Sequence, residues 1–433
     1  MANTKEEPVN VDGTAGDVLT PVMPGARIPT LDILRGFALF GVLWSNLNHY
    51  GTYEATFTPN PTTSATSLDH TLFWMQEWLI QNRFYSLLGF LFGVGFAIQL
   101  GRAEALGRDA VRPFYRRMGV LLLIGMVHGM FIWSGDILTK FALVGCLLPL
   151  YRRLTSRGLV IAAGVTYFGL AYLTMLASAA VGPARPPALP DFASLYADGS
   201  YWQIMPARLA EYLQNTRGLV VQFSGRSVPF LTLFILGLWA ARTGLVSHLG
   251  ERLGVVRRAL WFSLACVAAG LILTANFDAW WPRPPILNGP PVFDFAHIWN
   301  SWWFIGRGIP SMLVQWGTAG AYAAALTLLV HRPRWGALIG PLAAVGRMSL
   351  TTYLVQSVVS TLIFYGYGLG LYGRVTYSGM LFLTLVIFGC QLAYSTWWFD
   401  RYRFGPAEWL WRSLSYGRSQ PMRLVTAAER APV

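Results

Sequence analysis

Residues 116–142 read RRMGVLLLIGMVHGMFIWSGDILTKFA, and this stretch decides the fold. Two arginines lead into an apolar run, a short turn at Ser134 and Gly135, and the start of a second apolar run. That is the pattern of a helical hairpin in a bilayer, with the arginines at one surface and the turn near the other. Two ionisable groups interrupt it. His128 lies well inside the first run, and Asp136 opens the second. Ionisable residues at bilayer depth are costly, which makes both functional candidates. The structural alternative makes His128 an interhelical hydrogen-bonder and Asp136 a helix cap.

The rest of the chain repeats this pattern. Of its 433 residues 54% are hydrophobic and only 12% charged, against about 25% charged in soluble domains. An all-α, polytopic transmembrane helical bundle follows, with about ten spanning helices. They are expected at roughly 31–49, 84–101, 117–134, 136–151, 159–181, 227–242, 257–276, 308–330, 348–366 and 377–398. The short alternating segments of an outer-membrane barrel are absent. The net charge of +13 does not point to nucleic acid, because the arginines collect in alternate loops. With the N-terminus inside, Lys and Arg favour the inner side roughly three to one. Both termini are therefore expected in the cytoplasm.

Residues 1–26 are polar and read as a disordered cytoplasmic tail, residues 27–418 as a single transmembrane domain, and 419–433 as a flexible tail. Cys146, Cys266 and Cys390 fall in apolar runs with no metal-binding spacing. Walker, HExxH, CxxC and Gly-x-Ser-x-Gly motifs do not occur. Two long outer connections, 182–226 and 277–307, hold Pro runs and aromatics including Trp280, Trp281, Trp299, Trp302 and Trp303, and can lid a site.

Further candidates sit at segment ends. Asp32 and Arg35 share a helix face at the inner start of the first segment, where Arg35 can snorkel or hold an anion. Asn46 lies in the outer half of that segment, placed to bind a carbonyl or orient a base. Arg83 sits at an outer end, where the inside-positive bias would not put it. Gly89 and Gly93 form a small-residue face for close helix approach. Arg116 and Arg117 belong to the densest inner cluster, which serves topology, anionic lipid or phosphate. Arg347 opens another polar segment, with Gln356 on its polar face beside Ser349, Thr352 and Tyr353. Glu408 and Arg412, at i and i+4 in an aromatic and basic segment near the C-terminus, can pair.

Five stretches carry a resemblance: LDILRGFALFGVLWSN (31–46), RFYSLLGFLFGVGF (83–96), RRMGVLLLIGMVHGMFIWSGDIL (116–138), GRMSLTTYLVQS (346–357) and RFGPAEWLWRSLSYG (403–417). Together they resemble the YeiB-like bacterial inner-membrane proteins (domain of unknown function 418), with the signature part at about 240–418. That family is distantly similar to transmembrane acyltransferases such as heparan-α-glucosaminide N-acetyltransferase. The resemblance implies a multi-pass protein of the bacterial inner (plasma) membrane, in contact with the lipid bilayer. It would move an acyl group from cytoplasmic acyl-CoA, acetyl-CoA first among the donors, to an outer-face acceptor such as a sugar or envelope molecule. It implies His128 as catalytic base, aided by Asp136 and Asn46. Arg35, Arg116, Arg117 and Arg347 would hold the CoA phosphates, and Arg83 and Gln356 the substrate. No metal and no nucleic acid are expected, and a homodimer is one possible assembly. The alternative is a transporter or exporter in which His128 and Asp136 relay protons or hold substrate.

Overall fold

The computed structural model describes residues 28–51, 66–107, 109–181, 192–221, 229–246, 249–280 and 295–424. The expected tail at 1–26, the segments 182–191, 222–228 and 281–294, and residues 425–433 lie outside these, as do the side chains of Trp299, Trp302 and Trp303.

The described residues form helices and no named strand. α1 spans Pro29–Gly51; α2, Ser67–Met75, continues as a π-helical turn at Gln76–Ile80; α3 spans Arg83–Ala105. α4 covers Val111–Phe131 and α5 Leu138–Gly145, the latter followed by a 3₁₀ turn at Leu148–Tyr151. Then come α6 (Ser156–Val181), α7 (Phe192–Asp198), α8 (Tyr201–Val221), α9 (Phe230–Arg242), α10 (Leu253–Trp280) and α11 (Phe295–Val330). The chain continues through α12 (Pro333–Ile339), α13 (Leu342–Arg347), α14 (Ser349–Phe364), α15 (Tyr377–Phe399) and α16 (Pro406–Tyr416).

Each expected segment coincides with a helix, but among the described residues four helical stretches are long and apolar enough to cross a membrane: Ser67–Ala105, Leu253–Phe277, Gly308–Val330 and Tyr377–Phe399. Leu138–Tyr151, Phe230–Arg242 and Ser349–Phe364 are apolar but shorter. At 1.5 Å per residue the first of these covers ~21 Å, less than a ~30 Å hydrocarbon core. The exterior is apolar in the manner of a membrane protein, with Ile161, Val165, Trp261, Phe262 and Phe382 all exposed.

α1 is the central helix, buried on nearly every side, with α3, α11, α13, α14 and α15 packed around it. Its closest neighbour is α13. A Cβ at Gly346 would fall onto the Asp32 carbonyl, and one at Gly36 onto the Leu342 carbonyl, so the two backbones touch where both residues lack side chains. The expected small-residue face of α3 is used in the same way. A Cβ at Gly93 would strike the Phe234 backbone, and Gly89 faces Phe230 and Leu233, so α9 lies tight against α3.

Two expectations change. The connections at 182–226 and 277–307 are helical where they are described, since α7 and α8 occupy 192–221 and α11 starts at Phe295. Glu408 does not pair with Arg412. Its carboxylate caps α14, accepting from the Leu350 amide (2.6 Å), the Thr351 amide (3.2 Å) and the Thr351 hydroxyl (2.6 Å). The start of a helix offers unsatisfied N–H donors and the positive end of its dipole, and a carboxylate meets both. Arg412 lies over the Phe404 ring instead. α16 ends at Gly417, whose φ of 68° suits glycine at a helix C-terminus. Residues beyond it return alongside Arg401–Arg403, with Tyr402 bridged to Arg423.

Candidate active site

The turn between α4 and α5 folds Asp136 back under the last turn of α4. Asp136 Oδ1 lies 2.8 Å from His128 Nδ1, and both side chains are almost wholly buried. Asp136 Oδ2 accepts the Thr139 amide at 2.7 Å. The carboxylate therefore orients the imidazole and caps the next helix with its two oxygens, and the two readings of Asp136 hold together. A carboxylate only accepts, so the neutral imidazole carries its proton on Nδ1 and its lone pair on Nε2. Nε2 is buried and has no hydrogen-bond partner among the described residues.

Glycines make this fold-back fit. A Cβ at Gly125 would sit 2.5 Å from the Thr139 nitrogen and 3.0 Å from Asp136 Oδ2. At Gly129 it would enter the ring of Tyr212, and at Gly135 that of Trp133. The space that these glycines leave is filled by close neighbours from the same protein.

Aromatic side chains from other helices close the site. The Tyr353 ring of α14 lies 5.1 Å from that of His128, and its hydroxyl accepts the Ile137 amide at 3.3 Å. From α1, the Tyr50 ring packs against Trp133 with centroids 4.2 Å apart and the planes tilted by 33°. The Tyr85 hydroxyl of α3 donates to Asn46 Oδ1. Asn46 is buried, and with its carbonyl taken it has the amide N–H groups to offer a ligand. Asp136 lies within electrostatic range of Tyr50 and Tyr353, as does Tyr85. His128 and Asp136 thus form a buried pair on α4 and the turn after it, with Tyr353 of α14 against it, while Asn46 of α1 is held by Tyr85 of α3.

α8 covers that pair. Tyr212 packs on Gly129, and its hydroxyl lies 3.2 Å from Thr139 Oγ1. Glu211 Oε2 accepts from Ser134 (2.8 Å) and Tyr196 (3.0 Å), tying α8 and α7 to the turn. Tyr85, Tyr353, Thr139, Tyr212 and Glu211 were not singled out as site residues from the sequence. They come from four separate stretches, at 85, 139, 211–212 and 353, and no local spacing links one stretch to another.

The remaining candidates lie elsewhere. Arg35 pairs with Asp32 at 2.7 Å, as its spacing predicts. Arg117 donates to Gln99 at 2.9 Å and lies under Trp411 of α16, 4.5 Å from the ring. Arg116, one residue earlier, is exposed. Arg347 stacks over Phe399 at 3.7 Å. Arg83 follows Asn82, whose left-handed φ of 64° starts α3, and donates to the Gln81 carbonyl. Gln356 joins α14 to its neighbours, giving its amide nitrogen to Gln391 at 2.9 Å and to the Leu39 carbonyl at 3.5 Å. No group of three or more metal-ligating side chains occurs among the described residues.

Residues 240–418 match the family described as "Protein of unknown function (DUF418)". Over 429 residues the chain is 30% identical to the "Uncharacterized protein YxaH" of Bacillus subtilis (strain 168), covering 93% of this chain and 98% of that protein. The chain belongs to the DUF418 family. It is also 28% identical over 414 residues to the "Uncharacterized 39.9 kDa protein in amylase 3'region" of Bacillus acidopullulyticus, covering 95% of this chain and all of the relative. To the "Uncharacterized protein YeiB" of Escherichia coli (strain K12) it is 26% identical over 405 residues, 91% of this chain and 98% of that protein. In this DUF418 protein the family match begins at residue 240, so His128, Asp136 and Asn46 lie before it and Tyr353 within it.

Proposed function

We propose that this DUF418 protein is a membrane-embedded acyltransferase that uses His128 as its general base. The observation that carries the reading is the buried pair itself: Nδ1 held by Asp136 at 2.8 Å and Nε2 without a partner. A base fixed in one tautomer, with its lone pair free, can take a proton from a hydroxyl or amine as that group attacks a thioester. The acceptor oxygen or nitrogen bonds to the acyl carbon, the thiolate of CoA leaves, and the proton held on His128 Nε2 is available to it. The Asn46 amide N–H is the candidate donor to the thioester oxygen in the tetrahedral state.

Acyl-CoA is the donor in this reading, and the protein would lie in the bacterial inner membrane in about ten crossings with both termini in the cytoplasm. Arg116, exposed, suits its phosphates best, and Arg35, whose side chain is 27% exposed, would join it with the part of its guanidinium that Asp32 does not hold. Arg117 and Arg347, stacked on Trp411 and Phe399, would border them. Arg116 and His128 are separated by ~18 Å along α4, a span suited to an extended donor arm. Arg83 and Gln356 have less to offer substrate, because both are bonded to the protein.

The test is to incubate the purified protein in nanodiscs with acetyl-CoA carrying a labelled acetyl group. CoA release above that of empty nanodiscs is the expected result. An intact thioester, together with proton-coupled flux in vesicles, would overturn acyl transfer and support export through the same pair.

A further inference from the structure

Among the described residues Arg208 is the largest side chain that is fully buried, only 1% exposed, and it is incompletely bonded. Its Nη1 donates to the Phe131 carbonyl at the end of α4, at 2.6 Å. That bond accounts for a cation at a helix C-terminus. It does not account for the other edge of the guanidinium. Nε and Nη2 are both buried and have no hydrogen-bond partner, and no carboxylate pairs with Arg208 among the described residues. These two N–H groups point side by side and form the fork that matches two oxygens of one carboxylate or phosphate.

The surroundings favour a ligand rather than a packing accident. The rings of Tyr201, Tyr365 and Tyr367 surround the guanidinium carbon at 5.3, 5.7 and 6.0 Å. Ring faces stabilise the charge but do not satisfy the in-plane N–H pair. Tyr365 is buried while Tyr201 and Tyr367 are half-buried, so the cage is less enclosed on their side. Glu211, one turn along α8, has Oε2 already engaged by Ser134 and Tyr196. The Phe131 carbonyl that holds Nη1 belongs to the last turn of α4, about one helical turn beyond His128 on the same helix.

We propose that the Nε–Nη2 edge of Arg208, within its tyrosine cage, binds an oxyanion group, a carboxylate or a phosphate, of a ligand that enters next to the His128–Asp136 pair. The proposal stands on Arg208 and does not depend on acyl transfer. If His128 acts as proposed, the acceptor is an anionic molecule.

The full chain in nanodiscs is titrated with sodium phosphate and, separately, sodium acetate, with sodium chloride at matched ionic strength as control. Melting temperature and calorimetric heat are the readouts. Saturable stabilisation by phosphate or acetate beyond chloride is expected, and the arm that saturates names the oxyanion. Arg208→Lys keeps the charge without the fork and is expected to weaken binding at least tenfold; Arg208→Gln is expected to abolish it. Tyr367→Leu, half-buried at the rim, should weaken binding several-fold even if the arginine variants do not fold. A wild-type response no different from chloride overturns the proposal. So does unchanged affinity in a folded Arg208 variant or, where neither folds, in Tyr367→Leu.

Discussion

At the residue scale the account rests on how one carboxylate is used. Asp136 accepts a hydrogen bond from His128 Nδ1–H on one oxygen and from the Thr139 amide on the other. Asp136→Asn separates these roles. The Asn carbonyl can still accept from Thr139, so the turn should hold. Its NH₂ would then face Nδ1 as a donor, reversing the tautomer and placing the imidazole proton on Nε2. The folded variant should release CoA from acyl-CoA roughly 10³–10⁴-fold more slowly than wild type; a rate within threefold would show that Asp136 does not orient the base. His128 and Asp136 were legible in the sequence because ionisable groups stand out in an apolar run. Arg208 was not. In the sequence it is one of several arginines in a long connection, and its cage includes Tyr365 and Tyr367 of the turn after α14, far away in the chain.

At the scale of elements, α14 depends on a cap from a helix that follows it by more than fifty residues. Glu408 provides it through three accepted hydrogen bonds. Burial pushes the Glu408 carboxyl above the usual range, against the pull of the Thr351 and Leu350 donors. A raised folded-state value means that the folded protein binds this proton more readily than the unfolded chain. The contribution is therefore full below the unfolded value of about 4.3 and is lost as the pH rises through the folded one. Glu408→Gln, which stays neutral, should flatten that pH dependence in a melting series, whereas Glu408→Ala should cost about 1–3 kcal/mol at neutral pH by leaving buried donors unmet. A Glu408→Gln profile parallel to wild type would contradict this. The contact of α1 with α13 gives a second expectation. Gly346→Ala puts a Cβ onto the Asp32 carbonyl, and the backbones must separate. A loss of about 1–3 kcal/mol is expected from such overpacking, and an unchanged melting temperature would refute the close approach. Helix positions were readable from apolar runs, and the glycine face of α3 from its spacing. Which helices pair was not, because α13 and α16 are short and find partners distant in sequence.

At the scale of the molecule, charge asymmetry sets the expected orientation. In a chain with Cys146, Cys266 and Cys390 replaced by alanine, single cysteines are introduced at Trp202, 74% exposed on α8, and at Arg418, exposed after α16. In right-side-out membrane vesicles an impermeant maleimide should label the first and spare the second until the membrane is opened. The reverse pattern would contradict the proposed sidedness. The composition identified a helical membrane protein at once, but not the number of crossings. α5 and α9 are too short to settle it by length, and α7 and α8, expected as loop, fold over the site instead. The proposed acyl transfer joins these scales, because its base on α4 is buried, held by its own turn and covered by α8. The most direct measurement is acyl-CoA-dependent CoA release by His128→Ala beside wild type, both in nanodiscs and both shown by circular dichroism to be folded. The account requires activity in the wild type and a fall to the level of empty nanodiscs in the variant. A folded His128→Ala protein that releases CoA at the wild-type rate would contradict it.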